Sequence, residues 1–271
     1  MKHVICFSGG HSSAIVAIEV VRKYGKENCT LLNHDISAWT EHEDIKRFKK
    51  EVAEYLGMEI TYANHTQAGN IPDQFDIIKY LNKIKGGNGD VLCTAKLKTE
   101  PFNKYLMSKH PGRKAIIYYG FDIREMHRIQ RRSSYLAANG FKSDYPLALW
   151  KERTIYNTEE IGIAKPLTYT KFKHANCIGC LKGGKLHWYV TYLERPDIFE
   201  KAKVTEEGLF ETIVRGTTLA DLELEFAKLK EAGVDATEHE DGRAFGARAR
   251  KVIKQIRLDD LDSKPCECTG E

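Results

Sequence analysis

No stretch of this chain is apolar for long enough to cross a bilayer, and the sequence has neither internal repeats nor low-complexity linkers. A membrane-spanning helix needs roughly 18 or more consecutive apolar residues. The N-terminal residues lead at once into a strand-like segment, so the sequence offers no signal peptide. We therefore expect a cytoplasmic protein without a membrane partner.

The excess of basic over acidic residues is also small, since the formal net charge is only +4 over 271 residues. So small an excess permits an anionic substrate or a nucleic acid but requires neither. Apolar residues make up 42% of the chain and charged residues 30%. This composition is typical of a globular enzyme and excludes a disordered polymer.

Short apolar segments alternate with helical patterns over the first half of the chain. Four segments have the length and composition of buried strands: 3–7, 29–33, 58–63 and 115–119. Thr40 and Gly57 are the predicted N-cap and stop of the second helix. Repeated β-α-β order predicts a parallel sheet with helices on both faces, and ligands of such sheets bind at the carboxyl ends of the strands.

A glycine-containing loop joins the first predicted strand to the first predicted helix, and it reads Ser8-Gly9-Gly10-His11-Ser12-Ser13. Glycines let a backbone approach an anion closely, and the N–H groups of a helix N-terminus face it. The serine hydroxyls and the His11 ring add donors. The loop therefore predicts a phosphate site, although an ordinary βα turn would need the same glycines for geometry alone.

The loop resembles the Ser-Gly-Gly-x-Asp-Ser loop of PP-loop ATP pyrophosphatases and its variant in the phosphoadenosine phosphosulfate (PAPS) reductase family. Asp35 follows the second strand, as an acidic residue on the nucleotide side does in that family. The segment Cys93-Thr-Ala-Lys-Leu-Lys98-Thr-Glu100-Pro101 resembles the family's Cys-Cys-x-x-Arg-Lys-x-x-Pro. Gly120-Phe-Asp-Ile-Arg124-Glu125-Met-His-Arg128 resembles its Gly-x-Arg/Glu-x-x-Arg. The similarity covers roughly residues 3 to 185.

The resemblance implies an α/β fold with a doubly wound, five-stranded parallel sheet of the adenine nucleotide alpha-hydrolase type. We assign residues 1–150 to this nucleotide-binding domain and residues 151–271 to a mainly helical, cysteine-bearing extension. ATP, PAPS or adenylyl sulfate (APS) would be held by residues 8–13 together with Asp35, Lys98 and Gly120, and Mg²⁺ would neutralise a triphosphate.

Arginines on the helix after the fourth strand are further candidates. Arg124 and Arg128 lie one turn apart, and their planar guanidinium groups suit phosphate or sulfate oxygens. We predict them as catalytic residues. Arg131 and Arg132 are explained nearly as well by a solvated charged face.

Seven cysteines need a separate explanation, since structural disulfides are rare in a reducing cytosol. Cys6 and Cys29 lie in predicted strands and are expected in the core. The resemblance implies a [4Fe–4S] cluster on Cys93, Cys177, Cys180 and a tail cysteine, Cys266. A structural zinc held by the Cys-x-x-Cys and Cys-x-Cys pairs is the alternative, and a redox dithiol or no cofactor at all stays open.

Three functions are compatible with these patterns. The first is a sulfonucleotide reductase-like oxidoreductase, in which Cys268 attacks sulfur and a thiol reductant resolves the product. The second is an ATP pyrophosphatase-type enzyme that adenylates a nucleic acid for thiolation or phosphorothioation, with a sulfur donor protein as partner and the basic segment 243–257 on the polynucleotide. The third is a non-catalytic nucleotide-binding protein with structural zinc. We favour the first, and the sequence does not determine the oligomeric state.

The departures from the family pattern bear on this choice. Ser12 stands where the loop aspartate is expected, and Thr94 replaces the second cysteine of the paired-cysteine segment. The Glu-Cys-Gly-Leu-His tail of sulfonucleotide reductases has no counterpart beyond Glu267-Cys268-Thr269.

Overall fold

A computed structural model describes residues 1–64, 71–87, 89–175 and 177–262, with side chains up to residue 257. It contains a five-stranded, fully parallel sheet in the order β3-β2-β1-β4-β5. The strands are β1 (Lys2–Cys6), β2 (Cys29–Asn33), β3 (Ile60–Tyr62), β4 (Ala115–Tyr118) and β5 (Lys142–Asp144). The predicted doubly wound α/β fold with a helical C-terminal extension is therefore confirmed.

Eleven helices surround and follow the sheet in the described part of the chain. The first seven are α1 (His11–Tyr24), α2 (Glu43–Leu56), α3 (Gln74–Leu81), α4 (Leu92–Thr94), α5 (Glu100–Lys109), α6 (Met126–Ala138) and α7 (Pro146–Leu149). The others are α8 (Lys185–Glu194), α9 (Pro196–Glu207), α10 (Leu219–Glu231) and α11 (Gly242–Asp262). Single 3₁₀ turns lie at Lys26–Asn28, Ile123–Glu125, Thr158–Ile161 and Leu167–Thr170.

The sheet is buried on both faces, which explains why its strands are apolar runs without alternation. On one face Ile5 and Leu31 pack with residues of α1 and α2. On the other face Val4, Leu32 and Ile117 pack with residues of α5 and α6. Each central strand therefore contributes alternate side chains to two cores.

The second helix begins later than predicted. The side chain of His42, not that of Thr40, caps α2, since His42 Nδ1 accepts a hydrogen bond from the Asp44 N–H at 3.1 Å. The Thr40 side chain is fully buried instead. Gly57 ends the helix in the left-handed conformation, as predicted.

Pro101 does not end the helix that contains it. Residues 92–109 are helical throughout, with a π-helical turn at Ala95–Thr99 directly before α5. Proline lacks the N–H of a regular turn, and a π turn is one way in which a helix accommodates such a defect. Lys98 lies on this turn.

The chain divides into two compact units. The first comprises residues 1–77, 85–169 and 174–177, so it includes residues 151–169, which we expected in the extension. Ile155 and Ile163 are buried in its core. The second unit comprises residues 78–84, 170–173 and those from 178 onward. Its core is aromatic, with Tyr189 stacked on Phe245 at 5.3 Å and Trp188 fully buried.

Among the described residues, no helix has both the length and the apolarity of a membrane span.

Candidate functional site

The strand order reverses beside the predicted phosphate loop. β1 is paired with β2 on one side and with β4 on the other, so the chain winds first in one direction from β1 and later in the other. In sheets of this kind the loops at the carboxyl ends diverge at the reversal point and ligands bind between them. The loop 7–10 after β1 and the loop 119–122 after β4 lie at this reversal point.

Two glycines fix the shape of these loops. Gly9 has a φ of +80°, and a Cβ there would lie 2.8 Å from Lys49 Cγ. A Cβ at Gly120 would lie 2.9 Å from the Ser13 nitrogen. Distances under 3 Å are repulsive, so only glycine lets the β4 loop lie directly on the first turn of α1.

We predict that Gly120→Ala destabilises the protein by about 1–3 kcal/mol, because the new methyl group meets backbone atoms of α1 that have no free space to move into. Urea denaturation measures the effect. Gly112→Ala is the matched control, since nothing lies within 4 Å of its Cβ position. Equal stability of the two variants would contradict the close approach.

Hydrogen bonds within the loop assign different roles to its serines. The buried Ser13 hydroxyl donates to the Gly10 carbonyl at 2.8 Å and accepts from the Ser8 N–H at 3.2 Å. It therefore maintains the loop. Ser8 and Ser12 are exposed, and the Ser8 hydroxyl lies 3.2 Å from that of Ser13.

The N-terminus of α1 keeps donors available. No side chain caps it and no acidic residue lies in its first turn. The His11 N–H donates to the Tyr169 hydroxyl at 3.0 Å. The N–H groups of Ser12 and Ser13 have no hydrogen-bond partner in the part of the chain that the structure describes. An anion would satisfy these donors and the positive end of the helix.

The His11 ring is engaged elsewhere. Its Nε2 lies 3.1 Å from Asn157 Oδ1, and burial lowers the pKa of the imidazole. The ring is therefore neutral, and its Nε2 also lies 3.3 Å from the Thr158 nitrogen, so in this geometry it is not aimed at a phosphate as predicted. His11 contributes to the loop through its backbone.

Asp35 lies at the carboxyl end of β2, where Asn64 positions it. The Asp35 N–H donates to Asn64 Oδ1 at 2.7 Å, and Asn64 Nδ2 donates to the Asp35 carbonyl at 2.8 Å. Asp35 lines an open cavity of about 400 Å³ together with Tyr62, Lys46 and Lys50. An acceptor beside an aromatic ring in such a cavity suits the base or ribose of a nucleotide.

Two cations lie near His34, which follows β2. Burial and the nearby charges of Lys98 and Arg132 lower the pKa of His34 to about 4, so the His34 ring is neutral at physiological pH. Lys98 and Arg132 are both half-buried, and neither forms an ion pair among the described residues. His34 Nε2 is buried, again with no hydrogen-bond partner in the described segments.

Arg132 lies closer to the carboxyl ends of the strands than we predicted from the sequence. Its guanidinium carbon lies 5.5 Å from the centre of the Tyr119 ring, and its positive charge acts to lower the pKa of the Cys6 thiol. Arg131 is exposed, as expected for a solvated face. The four-residue spacing from Arg128 is a sequence signal that could have placed Arg132 on the same side of the helix.

Cys6 lies at the end of β1, next to this cluster. Burial raises the pKa of the Cys6 thiol to about 12, although the Tyr119 hydroxyl and Arg132 oppose the shift. A thiol in this state is protonated at neutral pH and is a poor nucleophile. Its position in the strand agrees with the predicted structural role.

The two arginines that we predicted as catalytic are exposed at the surface. Arg128 is exposed, pairs with Glu125 and stacks on Phe121 at 4.2 Å. Arg124 is exposed on the 3₁₀ turn Ile123–Glu125, whose N-cap is Asp122. Both follow β4 and lie beyond Gly120, but Arg128 already has an acidic partner.

Three of the four predicted cluster ligands lie in the described part of the chain. Cys93 is half-buried on α4, and Cys177 and Cys180 are half-buried on the segment before α8. Cys266 and Cys268 lie outside the described residues. Within the described ranges, no three His, Cys, Asp or Glu side chains are grouped as ligands of one metal ion. The cluster and the zinc site stay predictions that metal analysis of the purified protein tests.

Comparison with known proteins adds no family to these observations. The chain matches no protein-family model and no curated protein. Support for a function therefore comes from the geometry at the carboxyl ends of β1, β2 and β4.

Proposed function

We propose that this protein is an enzyme of the PAPS reductase type that binds a sulfonucleotide at the carboxyl edge of its sheet. The observation that carries the proposal is the pair of half-buried cations, Lys98 and Arg132, which have no acidic partner among the described residues. Withdrawing an unpaired charge from water is costly. A bound anion that accepts hydrogen bonds from both side chains offsets this cost.

The edge offers two separate groups of anion-binding donors. The first is the N-terminus of α1, where the Ser12 and Ser13 N–H groups have no hydrogen-bond partner among the described residues. The second is Lys98 with Arg132, near the ends of β1, β2 and β4. A sulfonucleotide carries a phosphate and a sulfate, so it can satisfy both groups, with its base near Asp35 and Tyr62.

The loop favours a sulfonucleotide over magnesium ATP. Mg²⁺ is bound in nucleotide sites through carboxylate oxygens. Ser12 stands where the resembled ATP pyrophosphatases have an aspartate, and the first turn of α1 contains no acidic residue. ATP therefore lacks an evident metal ligand at this loop.

The proposed reaction uses a thiolate from the C-terminal tail, for which Cys268 is the candidate. The thiolate sulfur attacks the sulfate sulfur, the bond between sulfur and the bridging phosphate oxygen breaks, and the nucleoside phosphate leaves. A cysteine S-sulfonate results. A thiol reductant then releases sulfite and restores the cysteine with formation of its own disulfide.

Isothermal titration with APS and with AMP tests the binding step, because these nucleotides differ only in the sulfate. We expect APS to bind about tenfold or more tightly than AMP, since charge-assisted hydrogen bonds from Lys98 and Arg132 recognise the sulfate. Magnesium should not change the result. Tighter binding of magnesium ATP than of APS or PAPS would replace this proposal by the ATP-dependent alternative, and absence of any nucleotide binding would overturn both.

A further inference from the structure

One helix of the second unit carries a continuous stripe of positive charge. From Arg243 to Arg257, α11 contains six basic residues and no acidic residue. At 100° per residue, four of them fall within about 60° of one another around the helix axis. These four, which we call the α11 stripe, are Arg243, Arg250, Lys254 and Arg257.

The side chains of the α11 stripe are exposed, and none forms an ion pair in the part of the chain that the structure describes. Arg248 lies on another side of the helix and pairs with Glu240 at 2.7 Å. The apolar side of α11 is occupied, since Phe245 and Ala249 are buried. The stripe is therefore the free face of an anchored helix.

Helix stability does not explain the stripe. The positive end of a helix dipole favours acidic residues in the first turn and basic residues in the last. Asp241 caps the N-terminus of α11, since its Oδ1 accepts from the Arg243 and Ala244 N–H groups. Within the helix, however, Arg243 lies in the first turn, whereas the sequence places Asp259, Asp260 and Asp262 at the other end. This order opposes the dipole, so a ligand is the better explanation of the charges.

The geometry points to the phosphate backbone of a polynucleotide as that ligand, and we propose that the α11 stripe is a nucleic-acid docking surface. The stripe is about 21 Å long, at 1.5 Å per residue. One strand of duplex DNA presents a phosphate about every 3.4 Å of axis, so about six phosphates lie along the stripe. An amphipathic helix that binds a membrane needs a free apolar face, and that of α11 is buried.

Fluorescence anisotropy with a labelled duplex DNA of about 30 base pairs tests the proposal. Four phosphate contacts predict that affinity falls about 100-fold between roughly 50 and 200 mM salt. The stripe variant combines Arg243→Gln, Arg250→Gln, Lys254→Gln and Arg257→Gln. It should lose this binding, and the slope of log affinity against log salt should become shallower by about 3 to 4.

The control variant removes the same charge elsewhere, with Lys104→Gln, Lys109→Gln, Lys114→Gln and Lys142→Gln, all exposed in the first unit. It should bind DNA with a nearly unchanged salt slope. An equal loss in both variants, or no binding by the wild-type protein, would overturn the proposal. Stripe-dependent binding to vesicles of anionic lipid, without binding to DNA, would assign the surface to a membrane instead.

Circular dichroism and thermal unfolding show whether the stripe variant is folded. Should it not fold, the double variant Arg250→Gln with Lys254→Gln is measured, and its salt slope should become shallower by about 2. An unchanged slope in a folded double variant also contradicts the proposal. Because the assay contains no adenine nucleotide, its outcome is independent of the sulfonucleotide titration.

Discussion

Arg132→Gln should lower the affinity for APS by about 10- to 100-fold without lowering the stability of the free protein. The guanidinium is half-buried over the Tyr119 ring and has no acidic partner among the described residues. A hydrogen bond to a charged group contributes about 1.5–3 kcal/mol, which corresponds to that range of affinities. Isothermal titration measures the loss.

The stability measurement separates a binding residue from a structural one. A partly buried cation without an acidic partner is unfavourable in the free protein, and the Tyr119 ring offsets only part of this cost. Removal of the charge should therefore leave the urea midpoint unchanged or raise it. Arg131→Gln is the matched control, since Arg131 is the exposed neighbour on the same helix and should change neither quantity. A destabilised Arg132→Gln protein with unchanged APS affinity would make Arg132 a structural residue.

Local patterns predicted most of the fold because most elements have local causes. β2 occupies the predicted residues 29–33, and Gly57 ends α2 through its left-handed conformation. β5 is different, since its sequence Lys-Ser-Asp is polar and short. Its place at the edge of the sheet depends on pairing with β4, which is a long-range contact that no local pattern encodes.

The candidate site was predictable to the extent that backbone geometry requires glycine. Gly9 and Gly120 are needed for a positive φ and for a close approach, and both effects leave a glycine in the sequence. No comparable sequence signal indicates the partners of His11. Tyr169 and Asn157 contact it from 158 and 146 residues away along the chain. Only the folded structure shows that the His11 N–H and ring, which we predicted as phosphate donors, contact these two residues instead.

A buried ion pair beneath the phosphate loop was also not anticipated from the sequence. Lys49 Nζ lies 2.9 and 3.0 Å from the two carboxylate oxygens of Glu41, and both side chains are at most 3% exposed. Burial raises the pKa of Glu41, and Lys49 opposes the shift. The aliphatic part of Lys49 lies against Gly9, so this pair supports the loop from below.

Glu41→Ala is therefore expected to destabilise the protein by about 3–5 kcal/mol, because it leaves the Lys49 ammonium group buried without its partner. Urea denaturation at neutral pH measures the loss. Glu54→Ala is the control, since Glu54 pairs with another lysine of α2. Its partner Lys50 lies 3.7 Å away and both side chains are mostly exposed, so the change should be below about 1 kcal/mol.

The double variant Glu41→Leu with Lys49→Met distinguishes the cost of an unpaired charge from the loss of packing. Apolar replacement of a whole buried pair is often neutral or stabilising, so most of the stability should return. Should the double variant be as unstable as Glu41→Ala, the pair would act through shape and not through charge compensation. APS affinity of the stable double variant then reports whether the loop needs only a filled space beneath Gly9 or the lysine stem itself.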